Sequence, residues 1–281
     1  MPIDPDLATS TVYPDGADAW DEDRIILYHL GLGAGASVEP GEVAYVSERK
    51  LKVLPTFSVI PGFEGVRPAV QGPGLDYRLA RMLHGEQELM VHAPLPVRAK
   101  VVTHPSVEAV YDTGSAALAV LKAETSTVDG TLLCTNWFKL FIRGEGGFGG
   151  DAPARVTPPA TVGPPNLDIE VQTLPQQAAI YRLSGDRNPL HLDPGFARRA
   201  GFDRPILHGL CTWGVACKAI VDHLLDGSPG AVRGWRARMA APVFPGEALR
   251  IQAWKSDLGY SVRADVVGRE AAAITNGQLT V

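Results

Sequence analysis

Asp186 and His191 lie five residues apart in the string YRLSGDRNPLH, which begins at Tyr181. The pair Asn188-Pro189 between them opposes a helix, because proline lacks the backbone donor and restricts the residue before it. A turn of this kind can aim a carboxyl and an imidazole at a single water molecule. The chemistry that this predicts is proton transfer near neutral pH, which a carboxylate and a neutral imidazole can share.

His208-Gly209 opens a long apolar run that reads as a buried helix. A helix N-terminus presents unpaired N–H groups and a partial positive charge, and glycine lets a ligand approach the backbone closely. The Gly209 amide is therefore expected to donate to a substrate oxygen that gains negative charge. His208 is expected to be a hydrogen-bonded structural residue and not a second base.

The elements around these residues follow the order helix, loop, helix and then strands. Helical apolar spacing covers 173–183, and a second helix covers 206–225 with apolar residues on nearly every face. Alternating or β-rich runs follow at 232–241, 247–255, 260–267 and 271–281. One enclosed helix followed by an antiparallel sheet predicts an α+β layer arrangement.

The first half of the chain repeats this design. YHLG at Tyr28 resembles YRLS at Tyr181, and APLP at Ala93 resembles APVFP at Ala241, in the same order and at similar separation. Strand-like runs lie at 87–92, 99–111, 116–127 and 132–143, with a shorter and broken helical portion at 54–60. Glycine and proline crowd the stretch 144–167 and predict a linker. The sequence thus predicts an N-terminal repeat at 1–143 and a C-terminal repeat at 168–281.

Composition excludes several classes of protein. The 281 residues are 45% hydrophobic and carry a formal net charge of −5, which excludes disorder and gives no overall field for nucleic acid. Three cysteines without a CxxC pair give neither a disulfide framework nor a structural zinc site.

Cellular location is also predicted from the chain. The N-terminal residues lack the basic and apolar regions of a signal peptide. The most apolar run, 205–221, is interrupted by polar residues and is shorter than the roughly 20 residues that a membrane span needs. We expect a cytoplasmic protein with no membrane partner.

The string YRLSGDRNPLH, followed by ILHGL at Ile206, resembles the signature of type 2 enoyl-CoA hydratases, the MaoC-like (R)-specific hydratases and dehydratases. The resemblance implies two hotdog repeats, each an antiparallel sheet wrapped around a central helix. It implies reversible addition of water to trans-2-enoyl-CoA to give (3R)-3-hydroxyacyl-CoA, in fatty-acyl or steroid-side-chain metabolism. No metal and no cofactor is expected, since coenzyme A is part of the substrate.

By this resemblance Asp186 and His191 are the catalytic pair, Asn188 helps to position the loop, and Gly209 donates to the thioester oxygen. The sequence leaves open which member of the pair is the acid and which the base. In the first half, Gly33 and Val38 stand where the pair would be, so that repeat is expected to accommodate the acyl chain, with 54–60 and 81–87 lining its path. The arginines expected to bind coenzyme A are Arg187, Arg198, Arg199 and Arg204.

Two alternatives remain. One is a (3R)-hydroxyacyl-acyl carrier protein dehydratase of fatty-acid synthesis, which runs the same step in reverse. The other is a non-catalytic subunit that binds acyl thioesters, which the presence of both Asp186 and His191 disfavours. A homodimer is expected, and neither the acyl group nor the pathway follows from the sequence.

Overall fold

The computed structural model describes residues 3–154 and 163–281. The helices are α1 (Pro5–Ser10), α2 (Glu22–Gly31), α3 (Pro40–Val43), α4 (Val59–Val70), α5 (Gln177–Tyr181), α6 (Pro194–Arg199) and α7 (Gly209–Leu224). The strands are β1 (Gly16–Trp20), β2 (Met82–Val91), β3 (Ala99–Asp112), β4 (Ala116–Thr127), β5 (Leu132–Arg143), β6 (Leu167–Gln172), β7 (Gly234–Met239), β8 (Ala248–Ser256), β9 (Gly259–Val266) and β10 (Ala271–Thr280). None of the helices in the described residues is long and apolar enough to cross a membrane.

Contacts divide the chain into two compact units. The first holds the described residues 3–19, 58–93 and 100–154, and the second holds 20–57, 94–99 and 163–281. Residues 155–162 of the predicted linker lie outside the described residues, and the described part of 144–166 forms neither helix nor strand. The assignment of 1–143 and 168–281 to two repeats stays a prediction.

The first unit is a sheet with the strand order β1-β3-β4-β5-β2, and helix α4 packs on β4 and β5. The register is antiparallel at β3–β4, β4–β5 and β2–β5. A Cβ at Gly65 would lie 2.4 Å from Thr103 Cγ2, so this close helix–strand approach requires glycine. The predicted helical portion at 54–60 is a 3₁₀ turn, Pro55–Ser58, that runs into α4. The rest of α4 was not predicted, because it contains Pro61 and Pro68 and proline disfavours the interior of a helix.

The second unit has the strand order β7-β10-β9-β8-β6. Strands β7 to β10 match the runs predicted from alternation, whereas the edge strand β6 was not predicted. Helix α7 packs on β6, β7, β8 and β10 and is buried along most of its length. The Trp235 indole N–H donates to the Trp213 carbonyl at 3.1 Å and ties α7 to the sheet. The helix begins at Gly209 and not at Ile206, because the backbone of His208 is extended, with φ −59° and ψ 134°. The residues before it follow the sheet side of the unit, where the Leu207 N–H donates to the Val243 carbonyl at 2.7 Å.

Helix α2 packs against α5 within this second unit. A Cβ at Gly31 would lie 3.0 Å from the Tyr181 Cα, so glycine permits the contact. The rings of Tyr28 and Tyr181 lie 5.9 Å apart, which brings together the two segments that resemble each other in sequence. The helix predicted at 173–183 is realised only as α5 and a following 3₁₀ turn, Arg182–Ser184.

Candidate active site

The loop that carries Asp186 begins with a backbone conformation that favours glycine. Gly185 has φ 144° and follows the 3₁₀ turn Arg182–Ser184, so the chain turns sharply just before Asp186. The Asn188 N–H then donates to Asp186 Oδ1 at 3.1 Å. This leaves Asp186 Oδ2 as the oxygen that faces the rest of the site.

Asn188 caps the next turn and so links the two predicted catalytic residues. Its Oδ1 accepts from the Leu190 N–H at 3.0 Å, at the start of the 3₁₀ turn Pro189–His191. Its carbonyl accepts from the His191 N–H at 3.2 Å. Side-chain capping of this kind stabilises short turns. That Asn188 thereby positions the catalytic pair stays a prediction.

His191 is buried, and each of its ring nitrogens lies near an oxygen atom of a different residue. Nδ1 lies 2.9 Å from the Ile206 carbonyl, which can only accept, so Nδ1 carries the proton in the neutral ring. Nε2 lies 3.8 Å from Asp186 Oδ2 and has its lone pair free. That separation is too long for a direct hydrogen bond and suits two groups that share one bridging water.

Burial keeps this imidazole neutral. Loss of hydration lowers the pKa of His191 from its usual value, and this outweighs the Asp186 carboxylate and the Ile206 carbonyl, which raise it. The neutral form is the one that can take a proton from water. A buried imidazole and a half-exposed carboxylate therefore face each other at a spacing suited to proton transfer.

His208 and Gly209 stand where α7 begins. His208 is the N-cap residue of α7, and its Nε2–H donates to the Asp186 carbonyl at 3.1 Å, which agrees with the hydrogen-bonded role expected for it. Across the described residues the N–H groups of Gly209 and Leu210 have no acceptor. Unpaired N–H groups at the first turn of a 16-residue helix can donate to an oxygen that gains negative charge.

A divalent cation is the other ligand that these side chains could hold. Within the described part of the chain, Asp186, His191 and His208 each bring one ligand atom to within 4.8 Å of the others. Nδ1 of His191 and Nε2 of His208 donate to backbone carbonyls, so each ring has one nitrogen left for a metal. The expectation of a metal-free site stays a prediction.

The four predicted coenzyme A-binding arginines are all exposed. Arg198 and Arg199 occupy the last turn of α6, and the Arg204 guanidinium lies 4.7 Å from the centre of the Phe244 ring. Between residues 163 and 281 none of the four makes an ion pair or a hydrogen bond through its guanidinium. All four charges thus lie at the surface without a direct ion pair, although Arg199 and Arg198 interact electrostatically with Asp193. Their role in binding stays a prediction.

The positions that correspond to the pair in the first half carry no titratable group. Gly33 has a positive φ of 86° in the loop after α2, and Val38 is 91% exposed. A role of this repeat in accommodating an acyl chain stays a prediction.

Sequence reasoning missed three features of the site. The Ile206 carbonyl, which selects the tautomer of His191, is a backbone group and leaves no mark in the sequence. The stacking of the His191 and His208 rings, at 3.7 Å between centroids, joins residues on either side of α6. Tyr181 belongs to the string YRLSGDRNPLH, but the sequence assigned it no role, and its ring lies 4.9 Å from that of His208.

Comparison with known proteins gives matches along nearly the whole chain. The family model described as MaoC like domain matches residues 157–276, and the one described as MFE-2 hydratase 2 N-terminal domain matches residues 19–144. The chain is 42% identical to "Enoyl-CoA hydratase ChsH3" of Mycobacterium tuberculosis over 282 residues, covering 99% of this chain and 98% of that protein.

Solved structures agree. A crystal structure titled MaoC-like dehydratase, from Phytophthora capsici, is 27% identical with a TM-score of 0.87, and the match covers 98% of this chain and 97% of that one. A Mycobacterium tuberculosis protein described as having a double hotdog fold has a TM-score of 0.58 at 16% identity, and the match covers 97% of this chain and 96% of that one. These likenesses confirm the predicted α+β double hotdog fold.

Proposed function

Because the chain belongs to the MaoC-like family of type 2 enoyl-CoA hydratases, we propose that it is an (R)-specific 2-enoyl-CoA hydratase. It adds water reversibly to a trans-2-enoyl-CoA and gives the (3R)-3-hydroxyacyl-CoA. The observation that carries this function is the pairing of His191 Nε2, unprotonated in the neutral ring, with Asp186 Oδ2 at 3.8 Å.

The tautomer of His191 supports a division of roles that the sequence left open. Nε2 takes a proton from the water held between it and Asp186 as the water oxygen forms a bond to C3 of the enoyl group. The same Nε2–H then returns a proton to C2, so that one water is added in total and the imidazole is neutral again. The Asp186 carboxylate orients the water and stabilises the imidazolium that forms between the two steps.

The thioester oxygen gains negative charge while C3 is attacked. The N–H of Gly209, at the start of α7, is the donor for that oxygen, since it has no acceptor among the described residues. A donor already aimed at the developing charge does not have to reorganise during the reaction. The positive end of the α7 dipole adds to the effect.

The exposed arginines Arg187, Arg198, Arg199 and Arg204 attract the phosphates of coenzyme A. Support comes from their exposure and from the absence of a direct ion pair at these four guanidinium groups among the described residues. Arg204 is held over the Phe244 ring, which limits the rotamers that it can adopt.

The enzyme works in the cytoplasm as a homodimer and needs neither metal nor redox cofactor. Support for the reducing compartment is that Cys134, Cys211 and Cys217, all within the described residues, are unbridged and buried. Sedimentation of the purified chain measures the oligomeric state.

Hydration of a trans-2-enoyl-CoA panel, followed as loss of the conjugated thioester absorbance, tests this function. Asp186→Asn and His191→Ala should each lower kcat by about a hundredfold or more, because each removes a group that holds or moves the proton. Both variants should keep the wild-type circular dichroism spectrum. His223→Ala on the exposed side of α7 is the matched control and should keep full activity.

Three further arms sharpen the outcome. Chiral analysis of the product should give the 3R alcohol, and activity should survive treatment with EDTA. Carrier-protein thioesters are compared with coenzyme A thioesters, and a faster carrier-protein reaction would favour the dehydratase of fatty-acid synthesis. Full activity in either dyad variant would contradict the mechanism.

A further inference from the structure

His208 contacts both members of the proposed catalytic pair, although the mechanism above assigns it no step. It is 1% exposed and caps α7. Its Nε2–H donates to the Asp186 carbonyl at 3.1 Å. Its ring lies 3.7 Å from the ring of His191, with an angle of 27° between the planes.

The other ring nitrogen of His208 shows that the side chain does more than fill space. Nδ1 is buried and has no hydrogen-bond partner within the described part of the chain. A buried polar atom without a partner destabilises a fold, so an apolar ring would serve better at a purely structural position. What the imidazole supplies beyond a phenyl ring is the Nε2 donor to Asp186.

The geometry points to His208 as a positioning residue for the proposed hydration, since its donor holds the Asp186 backbone while its face holds the ring of His191. The kinetic part of this inference rests on the proposed function. One flat side chain thereby maintains the 3.8 Å separation between His191 Nε2 and Asp186 Oδ2. Rates of this kind are sensitive to displacements of a catalytic group by an ångström or less.

His208 acts through these neighbours and does not exchange protons itself. The groups that face it are Asp186 and His191 on the catalytic loop, Arg182 in the preceding 3₁₀ turn and the Tyr181 ring on α5. Burial, followed by the charge of His191, lowers the pKa of His208 to about 3, although the Asp186 carboxylate and its carbonyl raise it. The ring is neutral at the pH where hydration runs.

Two substitutions separate the donor of His208 from its ring face. His208→Phe keeps a flat ring and removes the donor, so kcat should fall by about tenfold to a hundredfold while KM changes little. His208→Gln keeps a donor and removes the stacked ring. Water then reaches His191, and the acid limb of the kcat/KM profile should move to higher pH as the His191 pKa rises toward its usual value.

His29→Phe is the matched control, because His29 is also fully buried in the second unit but has both ring nitrogens paired. It should lower the melting temperature and leave the acid limb in place. The His191 pKa is also measured directly, from the pH dependence of its ring resonances in the NMR spectra of the wild type and both His208 variants.

These readouts keep the two ideas apart. If the wild type hydrates no enoyl thioester, the proposed function fails, and the NMR titration still decides on His208. A folded His208 variant supports the inference if its His191 pKa is displaced. It also supports the inference if its kcat is lowered although its melting temperature equals that of the wild type. Wild-type kcat together with an unmoved His191 pKa, in whichever variant folds, overturns it.

Discussion

Lowering the pH from 7 to 5 should weaken the fold through a buried histidine far from the proposed chemistry in sequence. His29 is 0% exposed at the end of α2. Its Nδ1–H donates to the Tyr45 carbonyl at 2.8 Å, and its Nε2 accepts from the Leu54 N–H at 3.3 Å. Both nitrogens are therefore committed in the neutral form, and a second proton would remove one of these bonds.

The size of the effect follows from the pKa. Burial lowers the pKa of His29 to about 4. The hydrogen bond to the Tyr45 carbonyl raises this pKa and the nearby Lys218 ammonium lowers it, and both effects are smaller than that of burial. In the unfolded chain the imidazole titrates near 6.5, so between those two values the unfolded state binds more protons and stability falls as the pH falls. The loss between pH 7 and pH 5 from this one group is about 2 kcal/mol.

Urea unfolding of the wild type and of His29→Gln at the two pH values measures this share. His208 and His191 have lowered pKa values too, and they add losses of the same sign in both proteins. The variant should therefore lose about 2 kcal/mol less than the wild type over this interval. His223→Gln, at an exposed position on α7, should match the wild type. An equal pH dependence in the wild type and His29→Gln would refute the argument.

Two further predictions concern catalysis and binding. The acid limb of the kcat/KM profile should have its midpoint below pH 6.5, because burial lowers the pKa of His191. Activity is lost only as the pH falls through the lowered pKa of His191. A midpoint above pH 7 would contradict a neutral, buried base. Arg204→Ala should raise KM for coenzyme A thioesters about two- to fivefold, with a smaller effect at high salt. Arg263→Ala is the control, because the Arg263 guanidinium already donates to both carboxylate oxygens of Asp265 at 2.7 Å. An equal KM in the Arg204 and Arg263 variants would exclude Arg204 from binding.

Several features could be predicted from the sequence because they depend on neighbours along the chain. Asp186, Asn188 and His191 lie within one short loop, where proline and the side-chain caps determine the turn whatever surrounds it. The long strands β3, β4 and β5 also begin and end close to their predicted limits. Their residues alternate between the two faces of a sheet, and that alternation is visible without a partner.

Other features of the site and of the domain division depend on tertiary contacts. The tautomer of His191 depends on the Ile206 carbonyl, and the placement of Asp186 depends on a donor from His208, so both are set by residues well separated along the chain. Residues 20–57 group by contacts with the second unit, although their sequence places them in the first half. Hydrogen bonds and ring contacts between distant segments form only when the chain is folded, and no local pattern of residues encodes which partner each group will meet.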